Sequence, residues 1–351
     1  MTPPPAGRRR LDTTVPREYE VPTRAPRLAD AETARLAMWG VFGAWVVATL
    51  AAATAVIKVP GAPEWLERPA AAVLLVAFSI GLTHRAGGHM RIWTLMATLL
   101  GVSAVASQAS VLLTAATVTT AVLGSVYAVM ITRPAETTGA VVREYGVALV
   151  IALSSTMAVA AWNAPVNFQR FNLIVLFGAL AVIIALVWSL GAGLHGLGRQ
   201  NLGILIGVAV VLLALLAYSS FVRTYGSQAL VEGIDDTVIW MRTNIGGVPR
   251  PVEVLLGFPT LIVGVALRSR RREGWWILVF AVIGTGVLST SLVSPGAFPT
   301  YIAWSTLYSV VLGLGIGLLA RWLFLKPQSA RRTRAILPER RVEPGRFAPL
   351  R

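Results

Sequence analysis

Long apolar runs, each bounded by charge or by proline and glycine, dominate this chain from Leu36 to Leu325. A hydrocarbon core about 30 Å thick is crossed by about 20 apolar helical residues. The pattern predicts spans at 36–59, 69–83, two within 92–132, 145–162, a sixth ending near Leu194, then 202–222, 252–267, 275–292 and 301–325. The stretch 92–132 carries no charge over 41 residues. As one helix at 1.5 Å per residue it would be about 60 Å long, twice the core. It therefore splits at Ser107-Gln108-Ala109-Ser110 into two spans and a tight turn. The predicted fold class is all-α, a polytopic transmembrane helix bundle of about 10 spans.

Outside the apolar runs, residues 1–33 are rich in Pro, Arg and Thr without apolar periodicity, which reads as a disordered cytoplasmic tail. The apolar run that follows starts too late and runs too long for a signal peptide. Residues 34–326 are read as the transmembrane bundle, with an extracytoplasmic loop at 223–252. Residues 327–351 form a second basic cytoplasmic tail, with Arg331, Arg332, Arg334, Arg340, Arg341 and Arg346. Basic residues beside a bilayer are drawn to anionic headgroups, so membrane lipids are the expected partners. Docking of a protein at the basic tails is the alternative.

Composition sharpens this picture. Of 351 residues, 55% are hydrophobic and 13% charged, against about 25% charged in a soluble domain. The net charge of +15 reads as positive-inside topology rather than nucleic-acid binding. With both tails on one side, only Lys58, Arg68, Arg170, Arg223, Arg242 and Arg250 of the 31 Lys/Arg fall on the other, against nine in the short connectors of the tail side. The orientation is N-in/C-in, and the Arg-rich, Lys-poor usage suggests a bacterial inner (plasma) membrane, multi-pass. Trp65, Trp162, Trp240, Trp275, Trp276, Trp304 and Trp322 lie near predicted span boundaries, where amphipathic rings suit the headgroup level. The absence of cysteine excludes disulfides and thiolate ligands. His84, His89 and His195 fall near cytoplasmic helix ends, and neither a metal site nor a cofactor is expected.

No ionisable side chain falls at the centre of a predicted span, which counts against a proton- or ion-coupled pump. Ser154-Ser155-Thr156 and Thr114, Thr117, Thr119 and Thr120 could form a neutral site, but such hydroxyls more often bond between helices or back to their own. Gly191, Gly193 and Gly196 cluster at the end of the sixth span. Gly313 and Gly317 make a G-x-x-x-G that places both on one face for close helix packing.

The stretch 223–306 differs from the rest. Leu230, Ile234, Val238 and Met241 recur at helical spacing with Glu232, Asp235, Asp236 and Arg242 elsewhere on the wheel, an amphipathic helix that lies on the membrane or caps the bundle. Pro249-Arg250-Pro251 and Glu253 lead into a short eighth span with Gly257-Phe258-Pro259, where the proline kinks the helix. The ninth carries Gly284-Thr285-Gly286, and Pro295, Gly296 and Pro299 delay the tenth. Broken spans are tolerated where exposed backbone lines a cavity or faces protein. The candidate site is an outer cavity with Arg250, Glu253, Asp235 and Asp236 at its mouth and Thr290, Ser291 and Thr306 as lining. Gly257, Pro259, Gly284, Gly286, Gly313 and Gly317 serve kinking and packing. Against this, Arg250 and Glu253 can simply pair, and adjacent helical acids such as Asp235 and Asp236 point about 100° apart, so they form no clamp.

Pro249-Arg250-Pro251-x-Glu253 followed by Gly257-Phe258-Pro259, with Gly284-Thr285-Gly286 and the glycine-rich last span, resembles the C-terminal part of a family of bacterial multi-pass membrane proteins. Some of its members are encoded beside polysaccharide pyruvyltransferases. The resemblance implies a role in cell-envelope polysaccharide assembly. This chain departs from the family in lacking a large extracytoplasmic domain and a histidine between the ninth and tenth spans, where residues 294–300 stand instead. The leading expectation is a non-enzymatic component handling a lipid-linked or polysaccharide precursor. The alternatives are a small-solute transporter and a membrane-embedded transferase, and no residue is assigned a catalytic role.

Overall fold

A computed structural model describes residues 28–58, 60, 61, 63–190, 207, 210, 228–269, 274–294, 298–325 and 343–350. The predicted seventh span, Gly191, Gly193, Gly196, His195, Arg270, Arg271, Arg272, Pro295, Gly296, most of the N-terminal tail and residues 326–342 lie outside the described residues.

The described residues are helical, without a strand. The helices are α1 (Leu28–Ile57), α2 (Glu67–Ala86), α3 (Met90–Ser107), α4 (Ser110–Met130), α5 (Thr138–Ala161), α6 (Phe168–Ser189), α7 (Gln228–Asn244), α8 (Phe258–Arg268), α9 (Gly274–Thr290) and α10 (Pro299–Phe324). A π turn, Glu253–Gly257, leads directly into α8. Eight of the described helical segments are long and apolar enough to cross a membrane. The eighth predicted span exists as continuous helical backbone over 251–268, interrupted by the π turn.

Local signals explain the boundaries. Gln108 adopts a left-handed φ of 55° between α3 and α4, the tight turn expected there. Thr137 and Asn167 cap α5 and α6 by accepting the backbone N–H of Ala140 and Arg170. Gly87, at φ 70°, closes α2, with Gly88 N–H donating to Thr83 O at 2.9 Å. Three boundaries differ from the hydropathy reading. α1 begins at Leu28, inside the stretch read as tail, because Leu28–Leu36 is rich in good helix formers. Arg85 lies in the last turn of α2 and Glu144 in the second turn of α5, not in connectors. Both are buried, and their charge made those helices look shorter than they are.

The chain divides into two compact units, Met1–Phe42 and Gly43–Arg351. In the first, Trp39 and Phe42 meet edge to face with centroids 6.0 Å apart. In the second, α9 is the central helix, packed against α4, α5, α6, α8 and the π turn, with nearly all its residues buried. α3, by contrast, presents Ile92, Trp93, Leu95, Met96, Leu99 and Val102 outward. Large apolar side chains on the outside and a closely packed interior suit a bundle surrounded by lipid.

The hydroxyls of the middle helices serve packing. Thr117, Thr119 and Thr120 donate to their own preceding turns, and Thr156 reaches Leu288 O at 3.0 Å on α9. The tryptophans divide. Trp65, Trp240, Trp304 and Trp322 are exposed, but Trp162, Trp275 and Trp276 are buried, which corrects their assignment to a headgroup belt. Trp162 donates from its indole N–H to Thr120 Oγ1 at 2.9 Å. Trp275 lies under the Arg268 guanidinium, 3.8 Å from the ring centroid. Each ring is held by a partner on another element, so proximity to a span end did not imply exposure.

Glycines set the closest approaches. A Cβ added at Gly284 would lie 2.8 Å from Gly257 Cα, so α9 and the π turn touch backbone to backbone. Gly313 and Gly317 take Phe258 and Ile262, with an added Cβ 2.7 Å from Phe258 Cβ and 2.5 Å from Ile262 Cδ1. The G-x-x-x-G thus packs against α8 of its own bundle. Gly286 faces Leu176 of α6. Gly284→Ala is expected to destabilise by about 3 kcal/mol, since backbone on the far side cannot yield. Gly315→Ala, where nothing lies within 4 Å, should leave stability unchanged. Thermal unfolding of both variants in detergent measures the difference.

Candidate functional site

Two ends of the bundle carry most of its polar side chains. One gathers the end of α5, the start of α6, the end of α9, the 245–251 loop and the start of α10. The loop is held from above by hydroxyls of α10. Tyr308 donates to Ile245 O at 2.7 Å, Ser305 donates to Val248 O, and Ser309 Oγ accepts the Arg250 N–H at 2.8 Å. Positions 305, 308 and 309 share one helix face. Gly247 makes the loop's close contact, since a Cβ there would lie 2.6 Å from Ser305 N.

Under this loop lies a cavity of about 300 Å³. Its walls are Phe168 and Asn172 of α6, residues 248–251, Val287 and Thr290 of α9, Ser291 and Ser294 of the following turn, and Tyr301, Ile302 and Ser305 of α10. Thr290 Oγ1 donates to Asn172 Oδ1 at 2.9 Å, fixing the amide. Arg250 Nη1 and Glu253 Oε1 form an ion pair at 2.7 Å. The Glu253 side chain is fully buried and the Arg250 side chain is 19% exposed. Arg250 Nη2 and Ser291 Oγ, both on lining residues, are buried without a hydrogen-bond partner.

The residues named from sequence therefore separate. Arg250, Thr290 and Ser291 line the cavity. Glu253 is not a lining residue; it is the buried counter-ion of Arg250. Thr306 is buried on α10 outside the lining. Asp235 and Asp236 are exposed on α7 and take no part in the cavity. α7 leaves Ile234, Val238, Ile239 and Trp240 exposed, and it reaches the rim through Arg242, which sits 5.2 Å from the Tyr301 ring centroid. The sequence reading missed Asn172, Ser305 and Ser309. Asn172 was visible as a lone amide inside an apolar run, and the hydroxyls as an i, i+3, i+4 set opposite a proline-rich loop.

Chemically the cavity offers a guanidinium, an amide, three serines, a threonine, a phenol and apolar walls. It contains no histidine, and its one neighbouring carboxylate is already paired. Among the described residues no three His, Asp or Glu side chains gather closely enough to hold a metal ion. Such a lining binds by hydrogen bonds and shape and holds no nucleophile–base pair. Eight helices able to cross a bilayer, packed around a buried core, suit an integral membrane protein. No family model, curated protein or solved structure matches the chain.

Arg250→Ala would leave Glu253 buried without its cation and should cost about 3 kcal/mol of stability. Adding Glu253→Gln to that variant should restore most of the loss. A double-mutant cycle on thermal unfolding distinguishes this from additive effects.

Proposed function

We propose that the chain is a multi-pass component of bacterial cell-envelope biogenesis, and that its cavity holds the sugar-bearing part of a lipid-linked or polysaccharide precursor without transforming it. The observation that carries the reading is the cavity lining. Planar and hydroxyl side chains (Arg250, Asn172, Thr290, Ser291 and Ser305) stand beside the rings of Phe168 and Tyr301. Polyhydroxylated rings are bound in this way, with hydrogen bonds at their edges and aromatic or aliphatic groups against their faces. Unpartnered Arg250 Nη2 and Ser291 Oγ are buried donors ready for such a ligand, since leaving them unmade costs free energy.

The walls also suit a lipid-linked ligand. α6 and α10 continue away from the cavity with exposed apolar side chains, Leu173 and Phe177 on one, Leu307 and Val311 on the other. The N-in/C-in reading puts the 223–252 loop and this end of the bundle on the outer side, where precursors are assembled into polysaccharide. The resemblance of 249–325 to envelope-associated proteins points the same way. A transferase reading is weaker, because Asp235 is remote from the lining and Glu253 is engaged by Arg250.

Deletion of the gene should change the profile of lipid-linked intermediates and wall polysaccharide. The wild-type chain should restore it. Ser291→Trp, which fills the cavity, should reach the membrane at normal level and fail to restore it. An unchanged profile on deletion removes the proposal. Reconstituted uptake of a small solute that is lost in Thr290 and Ser291 variants would favour a transporter instead.

A further inference from the structure

The opposite end of the bundle holds a feature unrelated to the cavity's lining. Residues 343–350 fold back onto the ends of α2, α5 and α8. Glu343 grips the Arg268 guanidinium with both carboxylate oxygens, at 2.8 Å to Nη2 and 3.3 Å to Nε. Arg346 Nη2 donates to both oxygens of Glu144, at 2.7 and 2.9 Å. Arg85 Nη1 donates to Gly345 O and Ala348 O at 2.7 and 2.8 Å, and Leu350 N–H returns a bond to Arg85 O at 3.0 Å. His84 Nε2 lies 3.1 Å from Phe347 O.

This short segment thus completes the polar shells of three buried charges. Arg268 keeps only Thr132 and the Trp275 face without it. Arg85 keeps only Met130 O. Glu144 keeps Arg143 and the Arg133 N–H. The attachment is polar almost throughout. Phe347 points outward, 57% exposed, and Leu350 is the apolar contact with the core. The fit also leaves Arg85 Nη2 and Arg346 Nη1 buried and unpartnered, so the docked state carries an unmet hydrogen-bonding cost.

We propose that residues 343–350 are a releasable strap, and that its release is felt at the cavity through α8. α8 ends at Arg268, in the grip of Glu343, and is continuous with the π turn that begins at Glu253, the partner of Arg250. Glu253 to Arg268 is about 22 Å of helical backbone, buried along its length. A rigid, enclosed element anchored at both ends by ion pairs carries displacement from one to the other. The π turn is the irregular point at which that element can give, as π turns near functional sites do. Elsewhere α8 is confined by Gly313, Gly317 and α9, which leaves motion along its axis. This device does not depend on which ligand the cavity takes.

The chain has no cysteine, so single cysteines report cleanly. Ser291→Cys reports the cavity and Leu350→Cys reports strap docking, each by its rate of maleimide reaction in the full-length protein in nanodiscs. With Glu343→Gln/Arg346→Gln, both changes lying on the strap itself, both rates should rise about five-fold or more, the lower end of ordinary site-to-site coupling. Glu343→Gln alone makes the same comparison with less lost and should give smaller rises in both. If Leu350→Cys reacts equally fast with and without the strap substitutions, the strap is not a docked element and the proposal fails. If Leu350→Cys speeds up while Ser291→Cys does not, α8 does not couple the two ends and the proposal fails on that ground.

Discussion

The contact between Gly257 and Gly284 is the constraint from which much of this bundle follows. With no side chain between them, the π turn and α9 meet at backbone distance. That approach encloses a segment whose hydrogen bonding is irregular. A π turn followed at once by Pro259 leaves backbone groups poorly served, which lipid would not tolerate. Here the segment is covered by α9 on one side and by the Gly313/Gly317 face of α10 on another. Thr260 supplies a further donor, bonding Leu256 O at 2.8 Å and Gly257 O at 3.0 Å. The break can therefore persist, and it places Glu253 under Arg250, which in turn fixes one wall of the cavity.

Charge is distributed by the same logic. The buried ionisable groups lie near the ends of their helices rather than halfway along them, and each has a counter-charge or several carbonyls. Removing two ions from water is expensive and is offset only by close geometry with the remaining donors and acceptors satisfied. The Arg250–Glu253 pair and the Arg268–Glu343 fork meet the first requirement. Neither end meets the second in full, because guanidinium nitrogens remain unmade at both. A bundle kept only for stability would do better with apolar side chains at these places. Retaining incompletely satisfied charge is more readily explained by groups that exchange partners in use.

Much of this was legible in the amino-acid order, and the parts that were not have physical reasons. Span positions follow from run length, and the α3–α4 turn from the impossibility of a 60 Å helix in a 30 Å core. Proline and glycine spacing pointed to the region of the cavity and named Arg250, Thr290 and Ser291. Reading a charge as the end of a span failed at Arg85 and Glu144, because partners far along the chain allow a helix to bury its charged last turn. The same cause hid the three buried tryptophans. Asp235 and Asp236 were drawn toward the site by sequence proximity alone, although the amphipathic helix that carries them keeps them exposed. The docking of 343–350 could not be read at all, since Glu343 and Arg346 look like any other charges in an arginine-rich tail.

Consider what that last failure implies for the bundle's two ends. The cavity is built by elements that are near one another in the chain, 245–251, α9 and α10, with α6 added. The strap joins positions separated by up to 263 residues, from His84 to Phe347. Local elements can form before the chain is complete, whereas the strap closes only after all the helices it touches are in place. Its contacts are therefore a late addition to a bundle whose apolar core already exists, and late contacts can be lost without unravelling that core. Polar, peripheral and long-range, the strap has the properties of a part that opens. α8 is the element through which such an opening would reach the buried pair at the other end.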